Sequence, residues 1–187
     1  MAAVKACIDA ALRPDLSTDL MNLVSGILGA VNFNLSQGLT AFGPCIQQWC
    51  PILEEDEFLG CCDYAVSEPV NANNGPRNPI IWMSLWLVTR RPCSPDEFMG
   101  ESELYAALKQ VHALLQTTQT PDLSILQVGL IIAMYELGHG LRQQAFQTIG
   151  NCTATLRILD IEATQKENVD NSRTLGWLKA SLTMIDR

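Results

Sequence analysis

A pair of helical segments separated by glycines constrains this chain more than any other feature. The stretch "LIIAMYELGHGLRQQAFQTIGNCTATLRILD" covers residues 130–160. From Val128 to Tyr135 the sequence is apolar on every side, which is typical of a helix at the centre of a core. After Gly138-His139-Gly140 an apolar stripe recurs at spacings of three and four: Leu141, Ala145, Ile149, Cys152, Leu156 and Leu159. We therefore expect a central buried αα-hairpin with a glycine turn, in which Gly138 has a positive φ.

Helical patterns continue through the rest of the chain. "IIWMSLWLVTRRP" predicts an apolar helix that ends before Pro92, and "ELYAALKQVHALLQ" carries a helical stripe with His112 beside it. Asp122 or Ser124 can cap the first helix of the predicted hairpin. "NFNLSQG", residues 32–38, has the composition of a loop.

No strand pattern of useful length occurs in the chain. We expect an all-α fold of largely antiparallel helices. Residues 1–40 are predicted to form an N-terminal helical extension, and residues 41–187 a helical domain.

Composition excludes some classes of protein. The chain carries a net charge of −8, with only 12 Lys and Arg residues that are scattered, which argues against direct binding of nucleic acid. Its apolar runs are shorter than the roughly 20 residues that cross a bilayer, and no secretory signal is visible. We therefore expect an intracellular protein, in the nucleus or the cytoplasm, without a membrane partner.

Seven cysteines raise the question of a metal site. Their number is odd, no C-x-x-C pair occurs, and structural zinc sites normally have thiolates two to four residues apart. Buried, reduced cysteines are the favoured interpretation, with no metal and no cofactor. Catalysis by a Cys-His pair would need His112 or His139 near a thiol, which the sequence alone does not decide.

Five segments together resemble a known family. "LSILQVGLIIAMYELGHGLRQQAFQTIGNCTATLRILDIE" is similar to the signature helix pair of the fungal-specific transcription factor regulatory domain, the middle homology region. "FGPCIQQWCPILEEDEF", "NPIIWMSLWLVTRRPC", "ELYAALKQVHALLQ" and "SRTLGWLKASLTMIDR" are similar to other segments of that domain and stand in the same order. The resemblance covers about Ala41 to Arg187. It implies an all-α domain that senses metabolites or partner proteins.

The chain also departs from that family. The six-cysteine zinc cluster and its basic linker are absent, so the resemblance implies a module that does not bind DNA in the family's way. The similarity reaches only the N-terminal half of the regulatory domain. The chain is then either a fragment or a short protein that kept these helices, and the starting Met and the dissimilar first forty residues favour the second. A half-length domain would leave apolar surface uncovered, so we expect a two-fold homodimer.

Glu136 and His139 are the candidate catalytic residues. Their spacing of three residues places them on one helical face, where they could act as an acid/base pair. The family resemblance favours a structural role for His139, whose ring could hydrogen-bond to free carbonyls at the helix end. We favour the structural role.

Aromatic residues are the remaining candidates for a binding site. They fall on or beside predicted helices: Trp49, Trp82, Trp86, Tyr135 and Trp177. Core packing is the favoured explanation, and a cavity lined by these residues for a small apolar metabolite is the alternative. Two functions stay open: a regulatory or small-molecule-binding module, and a stand-alone, cofactor-independent isomerase or cyclase of secondary metabolism that acts on an apolar substrate in that pocket.

Overall fold

The described part of the chain consists of helices. The computed structural model describes residues 35–48, 50–53, 80–89, 102–118, 120–166 and 169–185, and these residues contain no strand. The predicted all-α class is confirmed. The helices are α1 (Leu35–Phe42), α2 (Ile80–Thr89), α3 (Glu103–Thr118), α4 (Leu123–Gly138), α5 (Arg142–Lys166) and α6 (Val169–Ile185), and a π-helical turn at Gly43–Gln47 follows α1.

Helix α4 is the centre of the domain. Asp122 caps its N-terminus, and the Asp122 carboxylate accepts a hydrogen bond of 2.8 Å from the backbone N–H of Ile125. Helix α4 packs against α2, α3, α5 and α6. Residues from Val128 to Tyr135 are buried, except for Met134, which is partly buried. Because burial of each large aliphatic side chain contributes about 1.5–3 kcal/mol, this segment dominates the core.

The connection between α4 and α5 is a Schellman turn. Gly140 has a φ of 74°. Its N–H donates to the Leu137 carbonyl at 3.1 Å, and the N–H of Leu141 donates to the Glu136 carbonyl at 2.8 Å. The predicted positive φ at Gly138 was wrong, because α4 continues through Gly138 and His139 is its C-cap. The left-handed position therefore falls on Gly140, where a Cβ would be costly.

Helices α4 and α5 run in opposite directions and approach closely at Gly129. Thr148 on α5 contacts Glu136, and four residues later Cys152 faces Gly129. A Cβ built on Gly129 would lie 2.6 Å from the Cys152 sulfur, so glycine sets the distance between the two helices here. The stripe predicted on α5 faces inward: Ala145, Ile149, Cys152 and Leu156 are buried, and Leu141 and Leu159 pack partly buried against the core.

Helix α1 begins inside a segment that composition predicts as a loop. Residues 35–38 are helical, contrary to that prediction, and Gly38 and Phe42 are buried. Helix α1 packs against α2, so tertiary packing outweighs the weak helix propensity of this segment. Helix α1 also spans the predicted boundary between residues 40 and 41, and residues 1–34 lie outside the described residues.

Residues 50–53 form a buried segment that is not helical, and side chains satisfy its backbone. The amide oxygen of Gln47 accepts from the N–H groups of Ile52 (3.2 Å) and Leu53 (3.3 Å), and its amide nitrogen donates to the Leu53 carbonyl. The amide of Gln127 donates to the Ile52 carbonyl at 3.1 Å. The hydroxyl of Ser181 donates to the Pro51 carbonyl at 3.3 Å. The segment is thus tied to the π-helical turn, to α4 and to α6.

None of the helices in the described ranges is long and apolar enough to cross a membrane.

Gly129→Ala should destabilise the protein, although Gly→Ala inside a helix usually stabilises by up to about 1 kcal/mol. The new methyl group would meet the Cys152 sulfur, and we expect a loss of about 1–3 kcal/mol in the free energy of unfolding. Cys152→Ala removes that sulfur. The loss of stability in the double variant Gly129→Ala/Cys152→Ala should therefore be smaller than the sum of the losses in the two single variants. We expect the difference to be about 1 kcal/mol or more in urea denaturation.

Gly150→Ala is the matched control, since Gly150 lies on the exposed side of α5 and a Cβ there would meet nothing within 4 Å. We expect this control to gain about 0.5–1 kcal/mol. A Gly129→Ala variant that is stabilised to the same extent would contradict the close approach of the two helices.

Candidate functional site

A buried carboxylate at Glu136 joins three helices. Its side chain is 0% exposed. One carboxylate oxygen accepts a hydrogen bond of 2.6 Å from the Tyr105 hydroxyl on α3 and forms an ion pair with the Lys109 ammonium, also on α3. The other oxygen accepts a hydrogen bond of 2.6 Å from the Thr148 hydroxyl on α5. We call these four residues, Tyr105, Lys109, Glu136 and Thr148, the polar cluster.

Lys109 supplies the positive charge of the polar cluster. Its ammonium also donates to the Thr148 oxygen, and its side chain is 32% exposed, so it enters the cluster from the protein surface. A buried carboxylate without a cation would cost several kcal/mol, and the ion pair offsets that cost. Burial, the hydrogen bond to Glu136 and the charge of Glu136 all raise the pKa of Tyr105. Its phenol therefore stays protonated and acts as a donor.

His112 and Cys152 form a second buried polar contact beside the cluster. The Nε2 of His112 donates to the Ile125 carbonyl at 3.0 Å. A Cβ on Gly129 would lie 3.2 Å from this nitrogen and 2.6 Å from the Cys152 sulfur, so the two side chains border the same small space.

Burial keeps both of these groups neutral. Burial lowers the pKa of His112, and this effect together with the Lys109 charge outweighs the hydrogen bond to the Ile125 carbonyl and the Glu136 charge, which both raise it. Burial also raises the pKa of Cys152 to about 12. The structure thus places His112 beside the thiol of Cys152. The sequence alone did not show whether either histidine lies near a thiol. The pair lacks the thiolate that nucleophilic catalysis by cysteine requires.

His139 caps the end of α4. Its Nδ1 donates to the Tyr135 carbonyl at 2.7 Å, and its ring stacks on the Tyr135 ring with centroids 4.0 Å apart. Tyr135 in turn stacks on Tyr105 at 5.3 Å. These contacts are of the helix-end type that a structural role for His139 requires.

Glu136 and His139 are held by different partners. Glu136 faces α3 and α5, whereas His139 lies past the last helical residue with φ −103° and ψ 9°. Among the hydrogen bonds and ion pairs of the described residues, none joins the Glu136 carboxylate to the His139 ring.

The aromatic residues singled out in the sequence occupy different environments. Trp82 and Tyr135 are buried, Trp86 is partly buried against the core, and Trp177 on α6 is 37% exposed. Trp49 lies outside the described residues. The described residues also include no group of three or more His, Cys, Asp or Glu side chains placed to hold a metal ion. Cys50 and Cys152 are free and buried.

The sequence reasoning missed three of the four members of the polar cluster. A signal for one of them was present, because Glu136 is the only charged residue in α4 and requires a cation when it is buried. Lys109 is the only Lys or Arg between Arg91 and Arg142. Counting charges would therefore have included Lys109 among the candidate partners, together with Arg142, but Tyr105 and Thr148 carry no comparable signal.

Comparison of the chain with protein-family models, with curated proteins and with solved structures finds no match. The resemblance to the fungal regulatory domain therefore stays a prediction from the sequence.

Lys109→Met should cost about 3 kcal/mol or more in the free energy of unfolding, because it leaves a buried carboxylate without a cation. Glu136→Gln should cost less, about 1–3 kcal/mol, since the Lys109 ammonium can turn toward solvent. The double variant should be more stable than Lys109→Met alone. Urea denaturation of the four proteins in the cycle measures the coupling.

Lys179→Met provides a surface control. The ion pair of Lys179 with Asp160 has a length of 2.7 Å, but the two side chains are 47% and 49% exposed. We expect a change within about 0.5 kcal/mol. Equal losses in the free energy of unfolding for Lys109→Met and Lys179→Met would contradict the expectation that the buried ion pair matters more for stability than the exposed one.

Proposed function

We propose that this chain is a non-catalytic helical module that acts by binding and does not itself bind DNA. The observation that carries the proposal is that donors within the fold occupy the Glu136 carboxylate, which accepts from Tyr105, Lys109 and Thr148. The resemblance to the fungal regulatory domain implies the same kind of role.

The state of the other ionisable groups supports this proposal. A general base needs a free lone pair within hydrogen-bond reach of a substrate, and Glu136 is fully buried among donors of the fold. The pKa of Tyr105 and that of Cys152 are raised and that of His112 is lowered, so all three favour their neutral forms. Catalytic groups usually have a pKa shifted toward neutral pH, which is the opposite pattern for the tyrosine and the thiol.

Apolar side chains on the surface support an apolar ligand or protein partner. Several large apolar residues are between 37% and 77% exposed: Leu114, Leu137, Phe146, Ile158, Ile161, Trp177 and Met184. Such residues contribute most to binding when a partner covers them. A small apolar metabolite is the proposed ligand, and a cofactor-independent isomerase or cyclase remains the alternative function.

A panel of small apolar metabolites distinguishes the two functions. We expect a bound compound to raise the melting temperature, since a ligand at about 100 times its Kd adds about 2.7 kcal/mol of stability, and mass spectrometry should recover it unchanged. His139→Asn should bind the same compound, because Asn also fits a helix end and can donate to a carbonyl. Turnover by the wild type that falls about 100-fold or more in a folded His139→Asn variant would instead establish the enzyme.

We further propose that the module forms a two-fold homodimer. Helix α5 exposes Ile158 and Ile161 on either side of Asp160, whose carboxylate pairs with Lys179 on α6. A surface with apolar side chains and both signs of charge can pair with its own copy about a two-fold axis, where each acid meets the base of the partner.

Sedimentation velocity tests the homodimer. We expect a dimer at protein concentrations on the order of 10 μM, and Ile161→Glu should shift it to monomer, because it places a charge on the proposed interface. Gln110→Glu, at an exposed position of α3, makes the same charge change away from α5 and should leave the dimer intact. A wild-type monomer at that concentration would contradict the homodimer but leave the proposed binding function standing.

A further inference from the structure

Helix α3 packs against α2 and α4 through apolar side chains, including Leu108 and Leu115, and it also carries a set of polar contacts. Tyr105, Lys109 and His112 stand four and three residues apart on one face of the helix. Tyr105 and Lys109 bond to the Glu136 carboxylate, and His112 bonds to the Ile125 carbonyl. Helix α2, by contrast, carries no titratable side chain between Ile80 and Thr89. The polar contacts of α3 therefore add a dependence on protonation states to its docking, whereas the side chains of α2 itself add none.

His112 is the group in this interface whose charge changes most easily near neutral pH. The charged groups around it are Lys109 on its own helix, which opposes an imidazolium, and Glu136 on α4, which favours one. The neighbouring side chain from α5 is the neutral thiol of Cys152. A proton on His112 would put a second positive charge beside Lys109 in a site where the ring is 3% exposed.

We propose that protonation of His112 releases α3 from α4 and α5, so that mild acid uncovers the buried thiol of Cys152. The released helix leaves the imidazole in water, where it accepts the proton without a desolvation cost.

The direction of the effect follows from proton linkage. Burial lowers the pKa of His112 from its ordinary value of 6.5 in the docked state, so release takes up a proton. Docking is therefore fully favoured above pH 6.5 and weakens as the pH falls below that value. The population of the released state should rise by up to about tenfold per pH unit in this range.

Cys50 supplies an internal control for this proposal. Its thiol is also buried, but Cys50 lies beside the Ser181 side chain and Pro51, in the segment tied to α4 and α6. Release of α3 alone should expose Cys152 and leave Cys50 covered. Unfolding of the whole domain exposes both thiols together.

The experiment is site-resolved labelling of the full chain with 4,4′-dithiodipyridine, which remains reactive toward thiols in mild acid. The thiolate attacks the disulfide of the reagent, forms a mixed disulfide and displaces thiopyridone, and peptide mass mapping reads each cysteine. Rates are measured between about pH 7.5 and 5.5, above the range in which most carboxylates titrate. Each rate is divided by the rate of the urea-unfolded chain at the same pH, which removes the reactivity of the thiol itself.

We expect the normalised labelling of Cys152 to rise by up to about tenfold per pH unit below pH 6.5, while that of Cys50 stays flat. His112→Gln keeps an amide donor for the Ile125 carbonyl and cannot take up the proton, so its normalised Cys152 rate should not depend on pH. His139→Asn removes the only other histidine and should behave as the wild type.

Three results would overturn the proposal: parallel exposure of Cys50 and Cys152, protection of Cys152 throughout the pH range, or an unchanged pH dependence in folded His112→Gln. If that variant does not fold, the normalised labelling of Cys50 and Cys152 in the wild type still shows whether α3 alone is released. Ligand binding and turnover do not enter the readout, so the proposed function can fail without affecting this result.

Discussion

The ion pair of Glu136 with Lys109 is the interaction on which the arrangement of α3, α4 and α5 depends. Apolar contacts alone specify a single arrangement of helices less strictly, because repacked apolar cores lose their unique packing before they lose stability. A buried carboxylate allows no such freedom, because each donor must lie within about 3 Å of its oxygens. We hypothesise that the pair contributes more to the uniqueness of the packing than to net stability. Loss of fixed packing in a stable double variant would support this hypothesis, and unchanged packing would count against it.

The proposed binding function places the action of the protein at its surface, because the polar groups of Glu136 and its neighbours are engaged with each other. The phenol, the ammonium and the hydroxyl around Glu136 hold helices together, and the imidazole of His139 completes a helix end. The proposed binding function and the proposed release of α3 share this premise. In both, changes at the surface or at a helix interface carry the response, and no bond of a substrate needs to be broken.

The sequence predicted features that depend on neighbours in the chain and failed on those that depend on distant ones. The burial of α4 and the inward stripe of α5 follow from periodicity, which is a local property. One local feature was also missed: the positive φ was placed at Gly138, because composition does not show that α4 continues through Gly138 and that Gly140 follows its C-cap. Glu136 was named only as a candidate catalytic residue, and its partners Tyr105 and Lys109, which precede it by 31 and 27 residues, were not predicted. His112 was expected at the edge of the apolar stripe, and only the glycine at position 129 gives its ring a place inside.

The segment at residues 50–53 has a consequence for the order in which the protein is made. The partner of the Ile52 carbonyl, Gln127, comes 75 residues later, and the partner of the Pro51 carbonyl, Ser181, comes 130 residues later. A ribosome that adds roughly 5–20 residues per second needs on the order of ten seconds to reach Ser181 after Pro51. During that time Gln47 can already bond the backbone of Ile52 and Leu53, but the partners Gln127 and Ser181, and the helices that bury this segment in the finished domain, are still incomplete. The nascent chain thus exposes an aggregation-prone apolar segment until α6 has been synthesised. We expect chaperones that bind exposed apolar stretches to bind this segment.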